Sequence, residues 1–418
     1  MKLRGITRNV VVLGFVSFFT DVASEMLYPV IPLFLVSAAL GGTPALLGLI
    51  DGLAEGISSG LRWIGGALSD RFGRRKPFVF AGYTLSALSK PLMGAAAYFG
   101  GWPIFLVGRC SDRLGKSIRT SARDALIADS TDPQYRGVAF GLHRAMDTCG
   151  AILGPLAALV ILLIRPNTPL QWLFFIAVVP GLVSSLLVAG TVREIPRPPG
   201  EGKPPPIFQS FPAPFWHLII ANAIFSFGNS SDSFLILRSK DIGLTFPQVI
   251  LAFAIYNAVY AAAALPLGHL SDRIGRKPVV IAGWITYAAV YFGFAVAHAW
   301  IAPWLLLGSY GLYQAFSEGV TKAMISDVVS PRQRAGAIGL FYTVSGVGQL
   351  VASVLAGVLW NVKLAGGHVM LAFALGTIFA LLAVPVIASV KLVRPGEEMP
   401  EAPDEAKEAI GAADREEG

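Results

Sequence analysis

Long apolar runs, separated by short polar turns, occupy the chain from residue 9 to residue 391. A transmembrane helix needs about 20 consecutive, mostly apolar residues. By that measure the pattern predicts about twelve membrane spans, which we number 1 to 12 in chain order. They cover residues 9–37, 46–69, 78–99, 102–128, 137–164 and 170–191, then 214–237, 247–270, 279–298, 302–327, 335–361 and 367–391. The predicted fold is an all-α integral membrane protein.

Composition supports a membrane protein rather than a soluble one. Hydrophobic residues make up 54% of the chain and charged residues only 14%, whereas soluble domains carry about 25% charged residues. The net charge of +7 does not point to nucleic acid, because Lys and Arg lie in short loops between apolar runs. Cys110 and Cys149 lie in apolar stretches and are expected to be packing residues. The basic N-terminus leads directly into span 1, so we expect a first span rather than a cleaved signal.

Two segments fall outside the spans. Residues 193–213 are rich in Pro and predict a semi-rigid linker between a first half, 1–192, and a second half, 214–392. Residues 393–418 are rich in Glu, Asp and Ala without apolar periodicity, and we expect a disordered acidic tail. Basic residues before span 1, between spans 2 and 3 and between spans 8 and 9 predict that both termini, the linker and the tail are cytoplasmic. This topology predicts a multi-pass protein of the plasma (inner) membrane.

One short basic motif occurs twice, about half a chain apart. Residues 66–77 read Gly-Ala-Leu-Ser-Asp-Arg-Phe-Gly-Arg-Arg-Lys-Pro, and residues 268–278 read Gly-His-Leu-Ser-Asp-Arg-Ile-Gly-Arg-Lys-Pro. Each copy lies between two apolar runs. The ends of spans 4 and 10 also match, at 129–137 and 327–335. Parallel repeats of this kind are typical of transporters built from two packed halves.

The duplicated motif resembles the loops between helices 2 and 3 and between helices 8 and 9 of the major facilitator superfamily, and the resemblance covers residues 1 to about 392. It implies two six-helix bundles around a central cavity and alternating access. Because one chain then contains both halves and one pathway, we expect a monomer. In that family the Asp of the motif caps a helix of the other half and its Arg reaches a carboxylate at the end of helix 4. The implied gate residues are Gly66, Asp70, Arg71, Gly73, Arg74 and Asp129, with Asp272, Arg273, Gly275, Arg276 and Asp327 in the second half. Such a latch would favour the outward-facing state; the alternative is that these are only topogenic charges in solvated loops.

Span 5 contains Gly150-Ala-Ile-Leu-Gly154-Pro155. The segment resembles the core of a motif found in antiporters of the same superfamily, in particular drug:proton antiporters. Small residues allow helices to approach closely, and proline bends a helix. Ordinary helix packing is the alternative explanation.

Ionisable residues inside the membrane are costly and usually mark a transport pathway. Asp21 and Glu25 lie on one face of span 1. The charged span 4 must still cross, because a shorter span 4 would leave only residues 102–108. Arg109 matches in place the family's helix 4 arginine, which is implicated in proton coupling. We therefore predict that Asp21 and Glu25 carry protons, and that Arg109, with Asp112, controls how readily they do so; static buried ion pairs are the alternative. Asp51 lies near the end of span 2, so it is either an intramembrane charge like the others or a residue at the membrane interface.

The predicted substrate cavity combines charges of the first half with amides and aromatics of the second. Its candidate residues are Arg113, Lys116, His143, Asp147, Asn229, Asp232, Tyr256, Tyr313, Gln314 and Glu318. Aromatic rings with a few amides suit an amphiphilic organic substrate, although the same rings also suit helix packing.

The sequence contains no Gly-x-x-x-x-Gly-Lys-Ser/Thr loop, no His/Cys metal spacing and no nucleophile elbow. We therefore expect no enzyme activity, no cofactor, no metal and no nucleic-acid partner; the expected partners are a small-molecule substrate, protons and the lipid bilayer. The favoured function is a proton-coupled exporter of amphiphilic or drug-like compounds. An importer or a carrier of an organic anion is the first alternative, because span 4 is rich in Arg and Lys. A non-transporting membrane sensor is the second.

Overall fold

The computed structural model describes residues 6–61, 69, 71–195, 211–329, 333–364 and 369–390. Helices of the first half are α1 (Arg8–Leu27), α2 (Ile31–Leu35), α3 (Pro44–Gly60), α4 (Lys76–Ala95), α5 (Trp102–Asp129), α6 (Arg136–Ile164) and α7 (Gln171–Thr191), with a 3-10 turn at Pro133–Tyr135. Those of the second half are α8 (Ala213–Gly228), α9 (Ser233–Ile242), α10 (Phe246–Ile274), α11 (Arg276–Val296), α12 (Ala302–Val328), α13 (Arg334–Val358) and α14 (Leu371–Ser389). A short hairpin, β1 (Lys363–Leu364) with β2 (Val369–Met370), precedes α14.

Within the described residues, spans 1 and 7 are each divided into two helices. Span 1 breaks after Leu27, where Pro29 and Pro32 cannot continue the backbone ladder. Span 7 breaks between Gly228 and Ser233, and the four residues of the break are Asn229, Ser230, Ser231 and Asp232. Such side chains compete with the helix for backbone hydrogen bonds. Discontinuous helices in corresponding places of two halves often mark a binding site.

The all-α membrane fold predicted from the sequence is confirmed. Within the described residues, seven helices are long and apolar enough to cross a membrane: α1, α6, α7, α10, α11, α13 and α14. Most of the others carry charges inside the span or, like α8, are cut short by a break. The 28-residue α5 is an unbroken helix despite its charges, so span 4 is a full-length helix as predicted.

The two halves meet through α3 packed on α13 and α6 packed on α10. We call the end of the bundle that carries residues 71–75 and Gly275 the basic end, and the opposite end, with the loop after α2, the far end. At the far end α3 and α13 are in backbone contact: a Cβ added to Gly48 would collide with the Ser353 carbonyl, and one added to Gly357 with the Pro44 carbonyl. One hydrophobic core continues across both halves there. The far end is closed.

At the basic end the halves separate. A cavity of about 640 Å³ lies between α5 and α6 on one side and α10 and α12 on the other. A Cβ added to Gly141, Gly268 or Gly319 would meet nothing within 4 Å. The structure is therefore open at the basic end and closed at the far end.

Some predicted features lie outside the described residues. They are gate residues Gly66 and Asp70, most of the linker, 196–210, and the acidic tail, 393–418. Their predicted roles remain predictions.

Candidate functional site

A central cavity of about 330 Å³ lies between the halves and is lined by residues of both. From the first half come Glu25, Tyr28, Asp51, Glu55, Ser59, Arg109, Arg113 and Lys116. From the second half come, among others, Asn222, Phe225, Asn229, Asp232, Trp284, Tyr310, Tyr313, Gln314, Glu318, Lys322, Tyr342 and Gln349. The charged first half and the aromatic, amide-rich second half therefore face each other across one space.

The second-half side of the cavity is a set of packed rings. Phe225 stacks on Trp284 with centroids 4.7 Å apart, and Tyr310 packs against Tyr313 at 5.1 Å. Offset or edge contacts of this kind hold aromatic side chains in fixed positions. Tyr256 is a correction to the predicted cavity set: it is buried between Phe253 and Tyr310, at 5.2 and 5.5 Å, and supports the ring layer from behind.

The break in span 7 brings polar atoms to the same cavity. The Tyr310 hydroxyl donates to Asp232 at 2.6 Å, and the Tyr287 hydroxyl donates to the Gly228 carbonyl at 2.8 Å. The Asn229 side-chain oxygen is buried and has no hydrogen-bond partner among the described residues. Irregular backbone at membrane depth is tolerated where it lines a cavity, which matches this position.

Asp21 and Glu25 lie on the same face of α1, as predicted, but they have different surroundings. Asp147 of α6 accepts from Ser17 of α1 at 2.7 Å and from Arg144 at 3.2 Å. Ser17 lies one helical turn before Asp21, so the carboxyl groups of Asp21 and Asp147 are neighbours across the α1–α6 contact. Two carboxylates side by side repel each other, and a proton held by one of them removes that repulsion. Glu25 lines the central cavity and also a small cavity of about 30 Å³ behind it.

The sequence predicts that Arg109 and Asp112 act on Asp21 and Glu25, but in the structure they pair with other residues. Both residues line the small cavity with Asp21 and Glu25. The Arg109 guanidinium, however, donates to Asp51 from Nε at 3.2 Å and from Nη2 at 3.0 Å. Asp51 is only 4% exposed, so it is not interfacial.

A second buried ion pair in the first half contains a residue that the sequence reading missed. Lys90 of α4 is 1% exposed and lies 3.3 Å from Asp112, which also accepts from Ser86 at 2.6 Å. A lone Lys in an apolar span is usually read as reaching the membrane surface. The signal that could have found it is the charge itself in the middle of span 3, because an ionisable residue at membrane depth is usually paired or functional.

Arg113 and Lys116 line the central cavity, as predicted. The Nε of Arg113 is buried without a hydrogen-bond partner among the described residues. Buried polar atoms are normally satisfied, so this donor is available to a group that enters the cavity.

His143 and Asp147 line the cavity at the basic end rather than the central one, while Glu318 lines both. Arg144 of α6 donates across the halves to Glu318, at 3.3 Å, and to the Tyr260 hydroxyl, at 2.5 Å. Tyr260 in turn donates to Glu318. This bridge connects Asp147 of the first half with Glu318 of the second.

Gly150, Gly154 and Pro155 are buried in α6 against α1. A Cβ added to Gly154 would lie 2.8 Å from the Met26 nitrogen, and one added to Gly150 would lie 3.0 Å from the Asp21 Cβ. The two glycines thus let α1 and α6 approach closely at the level of Asp21 and Glu25, which is the role predicted for small residues in span 5.

In both copies an arginine of the gate motif lies close to the carboxylate at the end of span 4 or span 10, with one correction to the residue; the predicted cap on a helix of the other half stays a prediction. In the second copy Arg276 donates to Ser271 at 2.7 Å, pairs with Asp272 and lies 3.5 Å from Asp327. In the first copy the equivalent residue is Arg75, not Arg74: it donates to Ser69 at 2.7 Å and lies 3.7 Å from Asp129.

The first copy has one extra residue before its Lys-Pro, which shifts the register of the motif by one. Arg74, like Arg71 and Arg273, is exposed, and Gly73 and Gly275 adopt positive φ values of 62° and 95° that favour glycine. Glu194, another residue not found from the sequence, accepts the backbone N–H of Arg75 at 3.0 Å and of Lys76 at 2.9 Å.

Comparison with known proteins gives one consistent family. The family model described as Major Facilitator Superfamily matches residues 13–238 and 218–414. An uncharacterized MFS-type transporter of Methanocaldococcus jannaschii is 37% identical over 367 residues, 86% of this chain and 90% of the relative. The multidrug resistance protein MdtH of Yersinia enterocolitica is 32% identical over 165 residues, 40% of this chain and 38% of the relative. A crystal structure of a D-xylose–proton symporter superposes with a TM-score of 0.74 over 94% of this chain and 99% of its own, at 16% identity, which supports the fold alone.

Proposed function

Because the chain belongs to the major facilitator superfamily of membrane transporters, we propose that it exchanges protons for a small amphiphilic organic molecule. The substrate binds in the central cavity, against the rings of the second half. The proton is carried by the carboxylates of α1 and α6. The chain is a multi-pass membrane transporter and not an enzyme.

The closeness of Asp21 and Asp147 across the α1–α6 contact carries the proposal, because two carboxylates side by side inside the membrane repel each other and favour holding a shared proton. Arg144 donates hydrogen bonds both to Asp147 and to Glu318, and Glu318 lines the central cavity. Loss of the shared proton would leave two carboxylates side by side, and their repulsion would be relieved by a change in the α1–α6 contact. Proton release and the position of the two halves are therefore physically linked.

Direction follows from topology in this proposal. With the basic end in the cytoplasm, the conformation is inward-facing and the termini are cytoplasmic. The 131 to 165 residues over which multidrug resistance proteins match this chain support export, as does the Gly150–Gly154–Pro155 contact on α1. We propose that the protein works as a monomeric exporter in the plasma membrane.

The first experiment is a thermal-shift screen of the purified protein with hydrophobic cations, organic anions and sugar phosphates at two pH values. Bound ligand stabilises the folded state by mass action. Stabilisation by hydrophobic cations, weaker at low pH, supports exchange of substrate for protons. Stabilisation by sugar phosphates alone contradicts an amphiphilic substrate.

The second experiment tests proton coupling in vesicles that contain the purified protein and the best ligand of the screen. Asp21→Asn is expected to abolish transport driven by a pH gradient while substrate exchange continues. Asp132→Asn, which changes an exposed loop carboxylate, is the matched control. If gradient-driven transport survives in Asp21→Asn, the assignment of the proton site is wrong.

An organic-anion carrier is a second candidate, favoured by the unpartnered Nε of Arg113 in the cavity. Arginine binds carboxylates and phosphates through paired donors. In the thermal-shift screen this candidate predicts stabilisation by organic anions that is lost in Arg113→Gln. Stabilisation by hydrophobic cations that persists in Arg113→Gln contradicts it.

A further inference from the structure

Asp51 is bound on its two oxygens by different halves of the molecule. Oδ1 accepts from Arg109 of α5, at 3.2 and 3.0 Å. Oδ2 accepts from Ser231 at 2.9 Å and from Ser233 at 2.5 Å, both at the break of span 7. All four side chains are at least nine-tenths buried. The carboxylate therefore connects α3 and α5 of the first half to α9 of the second.

The break of span 7 depends on this contact and on one more from α13. The backbone N–H of Ser231 donates to the Ser353 side chain at 3.0 Å. Ser231 is thus held by its N–H to α13 and by its hydroxyl to α3. Since polar groups inside a membrane must be satisfied within the protein, separating α3 from the break would leave the Ser231 and Ser233 hydroxyls and one oxygen of Asp51 without their present partners.

The two halves are in backbone contact one turn from Asp51. A Cβ added to Gly48, one turn before Asp51, would collide with the Ser353 carbonyl and would lie 3.2 Å from the Phe234 ring. Opening the far end must therefore pull Asp51 away from Ser231 and Ser233. The Asp51–Arg109 pair lies within the first half and can move with it.

We propose that Asp51, held by Arg109, is the positioning residue that closes the far end of the transport pathway by binding the broken span 7 through Ser231 and Ser233. Arg109 fixes the carboxylate and compensates its charge; the serines make the closure specific to one register of the two halves. The proposal concerns the closed state and does not depend on which substrate or ion is carried.

The test measures the far-end distance directly. Spin labels are placed at Ala39→Cys, in the loop after α2, and Lys240→Cys, at the end of α9, with Cys110 and Cys149 changed to Ser. Both labelled positions are exposed. Pulsed electron spin resonance in lipid nanodiscs gives the populations of closed and open far ends. We expect Asp51→Ala to raise the open-to-closed ratio by at least about tenfold, because the closed state then buries Arg109 without its carboxylate.

The double variant Ser231→Ala/Ser233→Ala keeps the Asp51–Arg109 pair and removes only the contacts between halves. It is expected to shift the same ratio in the same direction, by a smaller factor. Asp124→Ala, which removes the carboxylate paired with Arg123 in the first half, is the control and should leave the far-end distance unchanged.

Unchanged distances in a folded Asp51→Ala protein overturn the proposal. If Asp51→Ala does not yield folded protein, the serine double variant decides: a shift supports the proposal, and distances equal to those of the Asp124→Ala control overturn it.

Discussion

The two sides of the central cavity are built from different chemistry. The first half brings carboxylates and cations that are largely paired with each other, as in Arg109–Asp51 and Lys90–Asp112. The second half brings rings that are packed on one another, with Trp284 stacked on Phe225 at 4.7 Å. Ion pairs can keep the helices of the first half in place when a neighbouring carboxylate gains or loses a proton. Aromatic rings in fixed positions suit a surface that binds an apolar part of a substrate. This difference supports the proposal that the first half handles protons and the second half contacts the substrate.

The largest expected effect lies in the charged half, at Lys90. Lys90→Met would leave Asp112 buried without its cation, and removing one partner of a buried ion pair costs about 3–5 kcal/mol. We expect a clear fall in the unfolding midpoint, measured in detergent by intrinsic fluorescence. The double variant Lys90→Met/Asp112→Leu removes both charges and should recover most of the loss. A double variant as unstable as the single one would show that the pair is not the reason.

The next effect tests the α1–α6 contact, which positions the carboxylates proposed to carry protons. Gly154→Val would place a side chain where a Cβ already lies 2.8 Å from the Met26 nitrogen, and overpacking costs about 1–3 kcal/mol. We expect lower stability and loss of gradient-driven transport, because α1 must move and carry Glu25 with it. Gly141→Ala in the same helix, where a Cβ meets nothing within 4 Å, is the matched control. Normal transport by Gly154→Val would mean that the α1–α6 spacing is not needed for coupling.

The sequence predicts the membrane spans and the two halves, but not which charged residues pair with each other. The length of apolar runs is enough to place the spans, and the duplicated Ser-Asp-Arg string identifies the two halves. The ion pairs could not be predicted in this way. Asp51 and Arg109 are 58 residues apart, and a helical pattern shows which residues share a face of one helix but not which helix packs against that face. The choice between Arg74 and Arg75 depended on a single extra residue, which the position of Lys76 and Pro77 in the sequence would have revealed.

A smaller effect is expected in the aromatic half. Trp284→Ala should weaken substrate binding roughly tenfold, since an aromatic contact of this kind is worth about 0.5–1.5 kcal/mol beyond its buried area. Proton-driven transport at saturating substrate should continue. The measurement is the concentration dependence of transport in vesicles. Phe292→Ala in the same helix, where the ring is exposed, is the control. A loss of coupling in Trp284→Ala without a change in apparent affinity would contradict the division between the halves.

The last expected effect concerns the gate motif, which both halves carry. Arg75 is 8% exposed, donates to Ser69 and forms an ion pair with Asp129, so Arg75→Ala should cost about 1–3 kcal/mol through the acceptors left behind. Arg74→Ala, one residue earlier and exposed, should leave the unfolding midpoint unchanged. Arg276→Ala should resemble Arg75→Ala but with a smaller loss, because its partners Asp272 and Asp327 are about half exposed and screened by water. If Arg74→Ala proved the more damaging of the two first-half variants, Arg74 rather than Arg75 would be the counterpart of Arg276. The two copies of the motif would then have to be aligned from Asp70 and not from Pro77.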